Sequence, residues 1–431
     1  MFPASIIKLD GGLTFIHQEI TTTPVVVADI WVRAGTIEEP KSWFGMAHFL
    51  EHMIFKGTAN LAPGVFDQNV ENRGGVSNAA TSYDYAHYSL TAAASYLEET
   101  LAQLADMLLN AAIPDDEFVR ERDVVLEEIR SCYDDPDWLG YQHLITSIYP
   151  QHPYGRSILG SESDILQHSP EAMRCFHRSY YQPENMTVVI VGGISQESAL
   201  NLVEKHFKFP QLSLNTSVPV FNAQNNTQNE QYVCPLREPT VEPLIAGVRR
   251  QEIALPRLET ARLIMAWTTP GIEQLTTAYG LDLLSVLLAE GRTSRLVRSL
   301  REELQLVQGI CCNFSLQKES SLFTITAWLE PENLARVESL ICLYLQELIE
   351  YGVTEQELGR CQRLLCNDYA FSTETPNQIA GLYGYYNTVA KAELAVVYPQ
   401  KILSFDVQKL QKLAQDYLSP HQYAVTVLKP G

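Results

Sequence analysis

A short early stretch, His48-Phe49-Leu50-Glu51-His52, groups three side chains suited to metal chemistry. On a helix, at roughly 100° per residue, His48 and His52 stack one turn apart, and Glu51 falls on the same side, beside His52. Imidazoles at i and i+4 suit a tetrahedral zinc ion, and a carboxylate that is not itself a ligand can accept a proton from water activated there. The order reverses the commoner His-Glu-x-x-His arrangement. Five residues alone are a weak motif, because two histidines on an apolar helix also serve as hydrogen-bonded core residues. A third ligand has to decide.

The run from Asp116 to Arg130 reads as a helix, and Glu121 and Glu128, seven residues apart, fall on one face about two turns from each other. One of them can ligate the ion while the other orients a ligand from behind. Spacing alone equally permits a solvated charged face.

With the 76 residues from His52 to Glu128 (128 minus 52), these segments resemble the pitrilysin family of zinc peptidases. Gly74-Gly75-Val76-Ser77-Asn78-Ala79-Ala80-Thr81-Ser82 is similar to that family's substrate-binding edge strand, and His152-Pro153-Tyr154-Gly155-Arg156 to a stretch that recurs after its third ligand. The similarity covers both halves of the chain. It implies that His48, His52 and Glu128 bind zinc, that Glu51 is the general base, and that Glu121 is a supporting carboxylate nearby. It also implies an endopeptidase acting on unstructured peptides in a closed chamber.

The elements that must position these groups can be read from periodicity. Ile6 to Trp31 alternates as strands do, with a β-branched cluster at Val25-Val26-Val27, and the metal-motif helix is entered through Gly45. Ser77 to Ala93 reads as a hairpin whose exposed edge holds Asn78 and Ala79. A peptide can add itself there as another strand while Asn78 fixes its register; an ordinary turn-forming Asn has the same spacing. Helices are expected over Ser95 to Asn110, Asp115 to about Tyr133, Pro136 to Tyr149 and Glu171 to Tyr180, then a buried strand from Met186 to Val191.

From about Gln211 to Glu242 the composition shifts to Asn, Gln, Thr and Pro, which cannot bury enough apolar surface for a core. The second half then repeats the first. Tyr180 to Met186 is mirrored by Tyr417 to Tyr423 at an offset of 237, and Ala278 to Leu288 takes the place of the metal-motif helix without a histidine. The expected fold is α+β: two duplicated domains, each a mainly antiparallel sheet packed with helices, with a zinc-binding domain at 1–212, a linker at 213–242 and an inactive repeat at 243–431.

One departure stands in the second half. Arg301 sits where the family usually has an arginine, but seven residues on, where a tyrosine normally follows, this chain has Gln308. The family's pair binds substrate and stabilises a developing oxyanion; Gln308 differs in reach and geometry. The resemblance therefore suggests a related family subunit as partner, supplying the arginine and tyrosine in a heterodimer, or else a homodimer. Arg301 as a solvated helix charge is the plain alternative. The rival function is a non-catalytic peptide-binding or assembly subunit.

Composition sets the outer bounds. At 431 residues the chain exceeds one ordinary core. Its net charge of -20, from 31 basic and 51 acidic residues, disfavours nucleic acid as a partner and favours basic peptides. Eight scattered cysteines without C-x-x-C pairs suit reduced thiols and a cytoplasmic location. Neither a signal peptide nor a membrane span is evident.

Overall fold

The computed structural model describes residues 2–208 and 245–431, so the expected linker at 213–242 lies outside the described residues. Those residues form two compact units: 2–126, 158–208 and 379–388 in the first, and 127–157, 245–378 and 389–431 in the second.

The first unit is built on six strands: β1 (Ser5–Lys8), β2 (Thr14–Glu19), β3 (Val25–Val32), β4 (Val76–Thr81), β5 (Ala86–Ala93) and β6 (Met186–Gly192). Their order is β1-β2-β6-β3-β5-β4, with β2 and β6 parallel and the other pairs antiparallel. The second unit holds β7 (Val248–Leu255), β8 (Ala261–Pro270), β9 (Gly309–Ser315), β10 (Ser320–Leu329) and β11 (Tyr423–Pro430), in the order β7-β11-β8-β10-β9. Here β7 and β11 are the parallel pair. Strand for strand this repeats β2-β6-β3-β5-β4, and Met186 and Tyr423, the first residues of β6 and β11, are 237 apart, as the repeat predicts.

The helices in chain order are α1 (Met46–Ile54), α2 (Val65–Glu71), α3 (Leu97–Asn110), α4 (Asp115–Tyr133), α5 (Pro136–Ile148), α6 (Glu162–Gln167), α7 (Pro170–Tyr180) and α8 (Gln196–His206) in the first part. After the undescribed stretch come α9 (Leu275–Ala289), α10 (Leu334–Tyr351), α11 (Glu355–Phe371), α12 (Pro376–Val389), α13 (Tyr398–Leu403) and α14 (Val407–Tyr417). Leu97, Leu101, Leu104 and Leu108 form the buried stripe of α3, each such side chain contributing about 1.5–3 kcal/mol on leaving water. Helix α9 follows β8 as α1 follows β3, is buried almost all round, and carries no histidine.

The compact units differ from the sequence halves 1–212 and 243–431 in two segments. Helix α5 packs on β8 and β11 of the second unit, where a Cβ at Gly140 would lie 2.7 Å from Cδ1 of Ile264. Residues 379–388 of α12 pack in the first unit, with Gly384 so close to β3 that a Cβ would lie 2.0 Å from Nε1 of Trp31. Polar contacts fix that docking: the Tyr383 hydroxyl donates to Oε1 of Gln18 at 2.6 Å, and Nδ2 of Asn387 donates to Oγ1 of Thr187 at 2.8 Å. With neighbours on both sides and cover on both faces, β3 is buried from Val26 to Val32, Asp29 included. This explains why its sequence is a near-continuous apolar run rather than an alternation.

Candidate metal centre

The site begins with how α1 is held. Its first N–H groups have no intrahelical acceptor. The buried Glu39 carboxylate takes two of them, from Gly45 at 3.0 Å and Ala47 at 2.7 Å. Gly45 itself has φ +83, and a Cβ there would meet the Leu159 carbonyl oxygen at 2.5 Å, so glycine is required where the chain turns into the helix. Three residues into α1, Phe49 packs on Phe118 of α4 with ring centroids 4.6 Å apart, both rings fully buried. That contact sets the register of the two helices.

One turn further along each helix the register brings His52 to Glu121. Nδ1 of His52 donates to Oε1 of Glu121 at 2.9 Å, and Nζ of Lys56 lies 2.6 Å from Oε2 of the same carboxylate. Burial would raise the Glu121 carboxyl, but the hydrogen bonds from His52 and Lys56 outweigh it and hold the group below its ordinary range. A carboxylate on Nδ1 fixes the tautomer and leaves the Nε2 lone pair of His52 to face a metal. Helix α4 continues unbroken to Glu128, and one donor atom from each of His48, His52 and Glu128 lies within 4.8 Å of the others.

Two imidazole nitrogens and one carboxylate oxygen fit zinc by donor type, and leave a fourth position for water or substrate. Zinc bonds of about 2.0–2.2 Å put donors roughly 3.5 Å apart, which side-chain rotation reaches from the spacing observed. His48 and His52 rings stand edge to face at 4.8 Å between centroids, an arrangement that lets both nitrogens point at one place. Among the described residues, these three form the one such group of histidine, cysteine and acidic side chains.

Glu51 lies beside this cluster and accepts a hydrogen bond from Oγ1 of Thr81 at 2.5 Å. Thr81 ends β4, the outermost strand of its sheet, on which Asn78 is exposed and Ala79 half-buried. Under Glu51 lie Tyr88 and Tyr181, whose hydroxyls meet at 2.6 Å. Burial pushes both phenols well up, so they stay protonated.

Other residues singled out in the sequence lie within the second unit. Arg301 belongs to the second unit, in a wide helical turn over Val297–Glu303, and its guanidinium is paired with the carboxylate of the adjacent Glu302. Arg292 and Arg301 together hold Glu302 at about 2. Gln308 precedes β9 and donates to Oε1 of Glu330 at 3.1 Å. His152 is buried in the same unit and bonded through Nε2 to Glu319 at 2.8 Å, ahead of β10.

Three contacts had no counterpart in the sequence reading: those of Glu39, of Lys56, and of Thr81 with Glu51, although Thr81 lies in the stretch likened to an edge strand. Lys56 left a trace, since 48, 52 and 56 continue one spacing of four past the end of the helix. Thr81 and Glu39 reach α1 through tertiary packing, which no local spacing records.

Among the described residues no helix is long and apolar enough to cross a membrane. Residues 14–162 match the family model described as Insulinase (Peptidase family M16), and residues 168–365 match the Peptidase M16 inactive domain. The zinc protease PqqE of Helicobacter pylori is 28% identical over 427 residues, covering 98% of this chain and 92% of that protein. The crystal structure of a protease from Helicobacter pylori superposes with a TM-score of 0.87 at 27% identity, over 99% of both chains. The periplasmic protease PqqL from Escherichia coli shares the fold, with a TM-score of 0.79 at 18% identity over all of this chain and 48% of that one. Two sheets of one topology, a histidine pair backed by a carboxylate, and matches to both family models along most of the sequence agree: the chain belongs to the insulinase and pitrilysin family of zinc proteases, peptidase family M16.

Proposed function

We propose that this chain is a zinc-dependent endopeptidase subunit that hydrolyses unstructured peptides within a closed chamber, its metal centre borne by the domain at 1–212 and the domain at 243–431 serving as an inactive repeat. The observation that carries this is the convergence of His48, His52 and Glu128 with Glu51 beside them. Zinc, when bound, supplies Lewis acidity that lowers the pKa of water toward neutrality and polarises the scissile carbonyl. His48, His52 and Glu128 hold it, and Glu121 keeps His52 in the binding tautomer. Glu51 accepts the proton of the attacking water and passes it to the leaving amine. The peptide lies extended along the free edge of β4, adding as a strand at Asn78 and Ala79, with its scissile bond brought past Thr81 to Glu51.

Gln308 and the local engagement of Arg301 with Glu302 favour a partner for the oxyanion role. That partner is a related family subunit contributing an arginine and tyrosine, or a second copy of this chain. The same substitution supports the rival reading of a non-catalytic peptide-binding subunit, against which the full set of metal donors weighs. Among the described residues no cysteine is joined in a disulfide, which supports the reading of a reducing compartment and a cytoplasmic location.

Zinc content and hydrolysis of an unstructured peptide, measured with and without a co-purified related chain, test the proposal. One zinc per chain with cleavage only in the presence of the partner is expected. Zinc without cleavage in either preparation would leave the non-catalytic reading standing.

A further inference from the structure

His48, His52 and Lys56 continue one stripe at intervals of four, but Lys56 stands beyond α1, in the turn that closes it. There its backbone N–H still bonds to the Met53 carbonyl at 3.1 Å, and Gly57 follows with φ +95, a position where a Cβ would meet the Leu61 carbonyl oxygen at 2.6 Å. The turn therefore fixes where Lys56 starts. Its ammonium reaches Oε2 of Glu121 at 2.6 Å, while Oε1 of that carboxylate is engaged by Nδ1 of His52 at 2.9 Å. The Glu121 side chain is 9% exposed and that of Lys56 27%, so the pair is shielded on the carboxylate side. Asp67 of α2 also lies within the field of Lys56.

From this geometry we infer that Lys56 is a positioning residue for the metal centre: it decides that Glu121 supports His52 instead of becoming a ligand itself. The inference rests on the zinc reading above. Two glutamates, seven apart on one helix, border the site, and either carboxylate has the chemistry of a zinc ligand. Lys56 occupies the outer oxygen of Glu121, which leaves the inner oxygen aligned on Nδ1 of His52 and removes the carboxylate's freedom to swing. The charge count points the same way. Two neutral imidazoles and Glu128 leave a divalent ion with one net positive charge, whereas an unneutralised Glu121 at its edge would cancel that charge. Lys56 offsets Glu121 and preserves the electrophilic character of the centre.

The test compares the full chain with its Lys56→Met and Lys56→Arg variants, using zinc ions and a chromophoric competing chelator at fixed pH. Lys56→Met is expected to weaken zinc binding tenfold or more, in the roughly 10- to 100-fold range for loss of a supporting contact, and Lys56→Arg to restore most of it. A smaller loss, no change, or tighter binding in Lys56→Met overturns the inference. A parent chain that takes up no zinc overturns the metal reading and this inference with it. An independent readout needs no variant: nitrogen-15 spectra of the imidazoles in the metal-free parent should show His52 held in its Nδ1–H form. An Nε2–H form, or a mixture, overturns the inference even if Lys56→Met fails to fold.

Discussion

Thr81 donates its hydroxyl proton to Oε2 of Glu51 across 2.5 Å, joining the last residue of an edge strand to the acid within the His48–His52 pair. The strand proposed to take up the peptide thus also holds the proposed base. Thr81→Val keeps the shape and removes the donor. A hydrogen bond to a charged group is worth about 1.5–3 kcal/mol, so kcat/KM should fall roughly tenfold to a hundredfold with zinc content unchanged. Thr81→Ser should recover most of the rate; equal kcat/KM in Thr81→Val and the parent would remove Thr81 from the mechanism.

Glu51→Gln preserves size and hydrogen bonding but cannot take up a proton. Cleavage should drop by roughly 10²- to 10⁴-fold, the usual contribution of a positioned general base, while metal analysis still finds zinc at the parental level. Turnover near the parental rate would exclude Glu51 as the base.

Gly384→Ala sets two effects against each other. Alanine is favoured over glycine inside a helix by about 1 kcal/mol. The new methyl would nevertheless sit 2.0 Å from Nε1 of Trp31, on a ring held between strands and helix. Overpacking of this kind costs about 1–3 kcal/mol. The clash should win, lowering the urea midpoint; a raised midpoint would show that α12 is not seated on β3 as described.

His177 makes stability depend on pH. It is buried, its Nε2 donates to the Leu108 carbonyl at 2.8 Å, and burial drives its pKa down to about 4. The unfolded chain, with an ordinary value near 6.5, binds more protons than the folded one between those two values. Stability from this group is therefore complete above about pH 6.5 and is lost as pH falls toward 4. Between pH 7 and pH 5 the loss is about 2 kcal/mol. Chemical denaturation at the two pH values should show a smaller drop in His177→Gln than in the parent; equal drops would contradict the assignment.

The grouping of the proposed metal donors could be read from the sequence because a helix fixes angular spacing. His48 with His52, and Glu121 with Glu128, need only 100° per residue to be paired, and the structure adds the packing of Phe49 on Phe118 that brings the two helices into register. Glu121 stands against His52 and Glu128 in the group that could hold a metal; the division of labour between the two glutamates is part of the proposal above. The duplicated topology was readable from the stretches that lead into β6 and β11. What escaped is whatever depends on a partner far away in sequence. The stripe of a helix says that one face is buried but not against which sheet, so the seating of α5 on β8 and β11, and of α12 on β3, left no local sign. Buried Asp29 is the clearest case, an acidic residue in an apolar strand that meets His87 of β5 at 3.2 Å and has Gly381, more than three hundred residues later, beside its other oxygen.

That late cover has a consequence for synthesis. The last strand of the first sheet ends at Gly192, whereas the α12 residues that shield β3 begin at Ile379, a further 187 residues (379 minus 192). At about 5–20 residues per second the ribosome takes roughly 10–40 s to supply them. For that interval the face of β3 lacks its α12 cover, with Trp31 flanked by Tyr85 and His87, so a chaperone bound at this face during translation would occupy the place α12 later fills.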